Sequence, residues 1–225
     1  MTPEFHSFWH TVTRLGEAQI LLPALAVVLV WFALRPQSRP VAAVWLGCIG
    51  LAALLTTVTK VAFIGWEVGY APLDFTGISG HSMFAAAVLP VLAGTAASAA
   101  SPRIKLLALI ASYGFAALIA VSRVTTGAHS VSEAIAGFLI GSIASLLALR
   151  LATAPRTQAP KALLAGLLAW MVLTPAGAPP SRTHDWVTHL SVTLSGREQP
   201  YTRLMMLRRY RLEQLQQRLG RFSQS

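Results

Sequence analysis

Residues 41–64 read VAAVWLGCIGLAALLTTVTKVAFI, an apolar run of bilayer length in which the one charged residue, Lys60, stands near the end. About 20 apolar residues cross the hydrocarbon core of a membrane as a helix. Similar runs cover residues 18–34, residues from about 81, and residues 104–121, 129–151 and 162–174. The last run is short, so it is either a marginal span or a re-entrant hairpin. We favour a crossing, because no ionisable residue stands between Lys161 and Arg182.

Composition supports a membrane protein. The 225 residues are 54% hydrophobic and only 12% charged, about half the charged fraction of a soluble domain. We therefore predict an all-α fold: a polytopic membrane helical bundle with about six transmembrane segments plus amphipathic N- and C-terminal helices. The predicted divisions are an interfacial helix at residues 1–17, a transmembrane domain at residues 18–178 and a basic amphipathic tail at residues 179–225.

The net charge and the cysteine count limit the binding partners and the disulfides that this chain can have. The net charge is +10, and no nucleic-acid-binding motif accompanies it, so we expect no nucleic-acid partner. Along residues 201–222 leucines lie mostly on one helical line and arginines crowd the remaining arc, which predicts an amphipathic helix on an anionic lipid surface, with a solvated or partly disordered tail as the alternative. Cys48 is the single cysteine, which excludes a disulfide within one chain. The oligomeric state is left open.

The alternation of spans predicts which polar residues share a face. The second and fourth runs end, and the third and fifth begin, on the same side of the membrane. That side collects Lys60, Ser79, His81, Arg123, His129 and Glu133. The short loops on the opposite side hold seven basic residues and no acid: Arg35, Arg39, Arg103, Lys105, Arg150, Arg156 and Lys161. The positive-inside rule makes that opposite side cytoplasmic. The polar cluster then faces the periplasm, the cell exterior or an equivalent lumen.

The polar cluster contains residue types suited to phosphate chemistry. Residues 79–81, Ser-Gly-His, precede an apolar helix whose exposed backbone N–H groups can bind phosphate. Arg123 offers a planar fork of donors that fits phosphate oxygens. His129 and Glu133 are four residues apart, so on a helix the carboxylate can hold one imidazole nitrogen and leave the other as a nucleophile. Ionisable residues beside membrane spans are costly, which favours a functional site.

Each piece also has a structural alternative. Lys60 could extend to the headgroups, Ser79 could only cap a helix, Arg123 could anchor at the interface, and the His129–Glu133 pair could join two helices. A histidine–carboxylate metal site is the poorer interpretation, because Lys60 and Arg123 would repel a cation. We expect no metal and no cofactor.

The spacing of these residues resembles the type 2 phosphatidic acid phosphatase family, which is related to vanadium haloperoxidases and glucose-6-phosphatase. The family pattern is Lys-x6-Arg-Pro, Pro-Ser-Gly-His and Ser-Arg-x5-His-x3-Asp, and residues 60–133 of this chain follow it. The resemblance implies roles for seven residues. His129 is the nucleophile, His81 the general acid and Glu133 the orienting carboxylate. The phosphate-binding residues it implies are Lys60, Ser79, Gly80 and Arg123. It also implies that the reaction needs no metal.

Three positions depart from the family pattern. Residues 67–68, Glu-Val, stand where Arg-Pro is expected, Ile78 replaces the proline, and Glu133 replaces the aspartate. An acid in place of a cation requires that Glu67 turn away, that the substrate carry its charges differently, or that activity be reduced. Asp74 adds a second acid to the same loop.

The resemblance and the topology together predict an integral-membrane lipid phosphatase or pyrophosphatase of a bacterial inner membrane, with its site facing the periplasm. Expected substrates are polyprenyl pyrophosphate, phosphatidylglycerol phosphate, phosphatidic acid or a lipid A phosphate. The alternatives are a lipid phosphotransferase and a non-catalytic lipid-binding or transport protein with a decayed site.

Overall fold

A computed structural model describes residues 3–151, 159–177 and 182–222. Nine α-helices occur in these residues: α1 (Pro3–Arg14), α2 (Ala18–Ala33), α3 (Arg39–Trp66), α4 (Gly80–Ala96), α5 (Pro102–Thr125), α6 (Val131–Leu151), α7 (Lys161–Gly177), α8 (Thr183–Ser195) and α9 (Arg203–Phe222). The described residues contain no β-strand, and the prediction of an all-α fold is confirmed. Arg156 and the predicted domain boundary between residues 178 and 179 lie outside the described residues.

Four helical stretches are long and apolar enough to cross a membrane: Ser7–Ala33, Pro36–Trp66, Pro102–Thr125 and Val131–Arg150. Large apolar side chains face outward on these helices, for example Leu51 and Leu54 on α3 and Leu107 on α5. Such an apolar exterior fits a lipid environment and not water. The apolar helices Gly80–Ala96 and Lys161–Met171 are shorter. The count of six spans therefore stays a prediction for α4 and α7.

Helix α4 lies at the centre of the bundle and sets the position of the site. Its residues 85–91 are all buried, and α2, α3, α5 and α6 pack around it. The closest approach is to α6, where Gly137 and Gly141 face the α4 backbone. A Cβ atom at Gly141 would lie 2.1 Å from the carbonyl oxygen of Met83. These two glycines, spaced as in Gly-x-x-x-Gly, let the two backbones meet.

Two predicted boundaries differ from the structure near the site. Residues 122–125 were predicted as loop, but α5 continues to Thr125 and ends only before Gly127, which adopts a φ of 70°. The Thr126 hydroxyl donates to the Ser122 carbonyl at 2.7 Å, which satisfies a carbonyl of the last turn. The fifth run was predicted to begin at His129, but α6 begins at Val131 because Ser130 caps it. Arg123 is therefore helical, and His129 lies just before a helix.

Helices α1 and α8 pack near the same end of the bundle. Helix α1 packs on α5, and α8 packs on α3. The Trp170 indole of α7 donates to the Ile20 carbonyl at 3.0 Å, so the later part of α7 lies beside the start of α2. Helix α7 extends to Gly177, past the predicted end of the sixth run at residue 174, because a proline such as Pro175 is tolerated in an apolar helix. Helix α8 lies along α3, and α9 contacts the loop between α3 and α4.

Candidate active site

The predicted polar residues surround one cavity of about 790 Å³. Five of the seven predicted site residues line it, and they come from four different parts of the bundle: Lys60, Gly80, His81, Arg123 and His129. Part of the wall is apolar and includes Ala53 of α3 and Phe84 of α4. The structure thus brings together cations, two imidazoles and an apolar wall, as the alternation of spans predicts.

The N-terminus of α6 fixes the candidate nucleophile. Ser130 and Glu133 form a capping box: the Ser130 hydroxyl accepts from the Glu133 N–H at 3.4 Å, and the Glu133 carboxylate accepts from the Ser130 N–H at 3.1 Å. The same carboxylate oxygen lies 2.7 Å from Nδ1 of His129. Nδ1 is therefore engaged, and Nε2 is the ring nitrogen left for chemistry in the cavity.

The Glu133 side chain is fully buried and receives five donors. Its Oε1 accepts from the backbone N–H of Thr76 at 2.6 Å and from the Thr76 hydroxyl at 2.5 Å. Its Oε2 accepts from His129, from Ser130 and from Nη2 of Arg203 at 2.6 Å. An ionised carboxylate is an acceptor only, so this set of donors fits the charged form. Thr76 and Arg203 are site residues that the sequence did not reveal.

The environment of His129 favours the neutral ring. Burial lowers the pKa of His129 below its ordinary value of 6.5, the hydrogen bond that His129 donates to the Glu133 carboxylate opposes that shift, and the nearby Lys60 and Arg123 lower the pKa further. A neutral imidazole has an unshared electron pair on one nitrogen, as a nucleophile requires. At neutral pH His129 is therefore in the form that can attack phosphorus.

Arg123 is held from the N-terminal helix. Its Nη1 donates to the Thr13 hydroxyl of α1 at 2.7 Å. Glu17 is buried, lines the same cavity and attracts Arg123. Neither Thr13 nor Glu17 was predicted, since the sequence places them more than a hundred residues from Arg123. The predicted interfacial helix thus also positions a cation of the site.

Ser79 is fully buried and serves the helix and not the cavity. Its hydroxyl accepts from the Ser82 hydroxyl at 3.0 Å and from the Ser82 N–H at 3.5 Å, which caps α4. Its own N–H donates to the Glu133 carbonyl at 3.1 Å and so ties α4 to α6. The phosphate-binding role of Ser79 stays a prediction, while Gly80 and His81 begin α4 at the cavity wall.

Glu67 turns away from the cavity. It ends α3 in the left-handed conformation, with a φ of 62°, and its carboxylate pairs with Arg197 and, at 3.3 Å, with Arg209. Asp74, the second acid of the loop, accepts from Arg203 at 2.9 Å. Both acids of the α3–α4 loop are therefore partners of the C-terminal tail. The sequence shows acids and no base in this loop and many arginines in the tail, but this pattern does not select the partners.

The described residues hold no cluster of three or more histidine, cysteine or acidic side chains that could bind a metal ion. His129 and Glu133 are engaged with each other, and Lys60, Arg123 and Arg203 surround them. These side chains fit an anion better than a cation.

Fold and site define a polytopic helical membrane protein in which a histidine–carboxylate pair faces a cationic cavity. Residues 42–156, which include every predicted site residue, match the family model of the PAP2 superfamily, and the chain belongs to that superfamily. An uncharacterized 22.5 kDa protein in the cps region of Klebsiella pneumoniae is 31% identical over 201 residues, which cover 87% of this chain and 95% of that protein. No solved structure matches the chain.

Proposed function

We propose that this protein hydrolyses the phosphate or pyrophosphate group of a membrane-anchored lipid through a phosphohistidine at His129. The observation that carries the proposal is the 2.7 Å contact between Nδ1 of His129 and the buried Glu133, at the wall of a cationic cavity. Superfamily membership supports a phosphatase. The apolar part of the cavity wall, which includes Ala53 and Phe84, supports a lipid substrate, since a hydrocarbon chain attached to the phosphate could contact these side chains.

The proposed reaction has two displacements. Nε2 of His129 attacks phosphorus, the bond from phosphorus to the lipid oxygen breaks, and His81 gives a proton to that oxygen. A water molecule then attacks the phosphohistidine, His81 accepts its proton, and the bond from phosphorus to Nε2 breaks to release phosphate. Lys60 and Arg123 stabilise the charge on the phosphoryl oxygens, which is the main source of rate enhancement in this class of reaction. Glu133 accepts a hydrogen bond from Nδ1–H of His129 and so orients the ring for attack.

The position of Glu67 argues against a decayed site. An acid in place of the family arginine was the reason to consider a non-catalytic lipid-binding protein. Glu67 lies outside the cavity and is paired with two tail arginines, so it does not repel a phosphate bound near His129.

The test is phosphate release in detergent from a panel that holds polyprenyl pyrophosphate, phosphatidylglycerol phosphate, phosphatidic acid and a lipid A phosphate. We expect release from at least one lipid, inhibition by vanadate and an unchanged rate in excess chelator. His129→Ala should abolish release, while His189→Ala, which changes an exposed histidine of α8, should not. Release by His129→Ala at the wild-type rate, or dependence on a divalent ion, would contradict the mechanism.

We also propose the location of the site and a lipid contact for the tail. The basic loops opposite the site support a site on the periplasmic side of a bacterial inner membrane. The second half of α9 exposes Leu212, Leu215 and Leu219 among arginines, which supports contact with an anionic lipid surface. A cysteine at position 219, in a Cys48→Ser background, should react more slowly with a water-soluble thiol reagent in anionic nanodiscs than in zwitterionic ones. Equal rates would indicate a solvated helix.

A further inference from the structure

The C-terminal segment enters the candidate active site. Arg203, the first residue of α9, lines the cavity together with His129. Its guanidinium bridges three groups: Nη1 donates to Asp74 at 2.9 Å, and Nη2 donates to the Thr76 hydroxyl at 3.2 Å and to the Glu133 carboxylate at 2.6 Å. Arg203 and Nδ1 of His129 thus bond to the same oxygen of Glu133.

Several contacts on both sides of Arg203 hold it there. Arg197 and Arg209 flank it in the sequence, and both pair with Glu67. The Tyr201 N–H donates to the Ile64 carbonyl at 3.1 Å. Between Arg203 and Arg209, Met206 is buried in a small apolar cluster with Phe63 and Ile64 of α3.

The α3–α4 loop has two features that fit its contact with the chain around Arg203. A Cβ atom at Gly69 would lie 2.8 Å from the Met206 sulfur and 2.8 Å from a ring carbon of Phe63, so glycine leaves room for these two side chains. Glu67 occupies a left-handed conformation that glycine adopts more easily, and it brings a carboxylate to the tail. These features indicate a built contact between the loop and the segment.

The ion pair between Arg203 and Glu133 balances the charge of the buried carboxylate. Glu133 is fully buried, and a buried carboxylate is costly without a compensating positive charge. A nucleophilic His129 is neutral and cannot supply that charge. Within the described parts of the chain, Arg203 is the one permanently charged side chain that contacts Glu133.

We propose that Arg203 is a positioning residue of the active site, which acts through Glu133 to keep His129 unprotonated and its Nδ1–H directed at the carboxylate. This inference rests on the proposed function of His129. Without the arginine, the buried carboxylate would attract a proton to the imidazole and form a stable histidinium–carboxylate pair, in which Nε2 is protonated and cannot attack phosphorus. With the arginine, the carboxylate is already neutralised, and the ring keeps its free nitrogen.

The protonation of His129 depends on every titratable or charged group around it. From α3, α4, α5, α6 and α9, respectively, these groups are Lys60, His81, Arg123, Glu133 and Arg203. Four of the five are unchanged in an Arg203 variant. Removal of a cation near a histidine raises the histidine pKa, by about one unit for a charge within about 6 Å.

The experiment compares four substitutions in the full-length protein in detergent. Arg203→Met and Arg203→Gln remove the charge, and the glutamine can still donate a hydrogen bond. Arg203→Lys keeps the charge and loses the fork. Arg208→Met is the matched control, because Arg208 is an exposed residue of the same helix. The readouts are the pH dependence of kcat/KM and the titration of His129 by histidine-selective NMR, with the His129 signal assigned from a His129→Gln spectrum.

We expect both neutral variants to move the acidic limb of the pH profile and the His129 titration upward by about one unit. The lysine variant should keep both near the wild-type positions while its rate falls several-fold, and Arg208→Met should match the wild type. A neutral variant whose His129 titrates as in the wild type would overturn the inference, even if its rate were lower. The NMR readout does not need turnover, so a wild type that releases no phosphate would reject the proposed function and leave this comparison decisive.

Discussion

Shortening Glu133 by one methylene tests the geometry of the candidate nucleophile with a substitution that keeps the charge. In Glu133→Asp the carboxylate retreats by the length of one carbon–carbon bond, roughly 1.5 Å. The 2.7 Å contact to Nδ1 of His129 then opens to about 4 Å, beyond hydrogen-bond range. The bonds to Ser130 and Thr76 lengthen with it.

The magnitude follows from the bonds that are lost. A hydrogen bond to a charged group contributes about 1.5 to 3 kcal/mol. If the His129–Glu133 bond is fully formed in the transition state, its loss lowers kcat roughly 10- to 150-fold. The capping box at the start of α6 also opens, which costs about 0.5 to 2 kcal/mol of stability.

The assay measures kcat by phosphate release and stability by thermal unfolding in detergent. Ser130→Ala is the matched control, because it removes the hydroxyl of the same capping box and keeps the Ser130 N–H and the Glu133 side chain. The control should lose a similar amount of stability, with kcat within about twofold of the wild type. If Glu133→Asp also kept kcat within twofold, the carboxylate would not orient His129 and the reasoning would be refuted.

Three further outcomes follow from the structure. Because burial lowers the pKa of His129, kcat/KM of the wild type should stay level as the pH falls through 6.5 and decline only below it, as protonation removes the nucleophile; a decline centred above 6.5 would contradict this. Glu67→Gln should release its two arginine partners and speed proteolysis at residues 197–202, and Glu67→Gly, which suits a φ of 62°, should do the same with the end of α3 intact. Protease resistance equal to the wild type in both variants would show that the ion pairs do not hold the segment. Gly141→Ala should cost about 1 to 3 kcal/mol through a clash with the α4 backbone, seen as a lower melting temperature, while Gly47→Ala, which has open space, should not.

The candidate transmembrane helices were predictable because long apolar runs are typical of helices in a lipid environment. The spans at residues 41–64 and 104–121 correspond to α3 and α5 with shifts of a few residues at their ends. The errors lie where polar residues continue a helix. Ser122 and Arg123 resemble a loop in sequence, but nothing in them breaks a helix before Gly127. The start of α6 could have been predicted from the Ser-x-x-Glu spacing of Ser130 and Glu133, a capping signal.

The contribution of the tail could not be predicted from local patterns. Arg203 meets Glu133 across 70 residues and Asp74 across 129 residues, and no periodicity links these positions. A basic helix with leucines on one side also predicts contact with a lipid surface. The sequence therefore does not distinguish arginines that face lipid headgroups from arginines that pair with acids of the same chain. Only the folded chain shows that Arg203 and Arg209 contact acids of the α3–α4 loop while the far end of α9 is exposed.

The distance in sequence between Glu133 and Arg203 has a consequence for biosynthesis. A ribosome adds about 5 to 20 residues per second, so the 70 residues that separate the two take about 4 to 14 s to synthesise. During that time the nascent protein already contains Lys60, His81, Arg123 and His129 but lacks the countercharge of its buried carboxylate. If Arg203 has the role proposed above, the active site is complete only after α9 has been made and has joined the bundle, and a chain that stops before residue 203 should lack the positioning of His129.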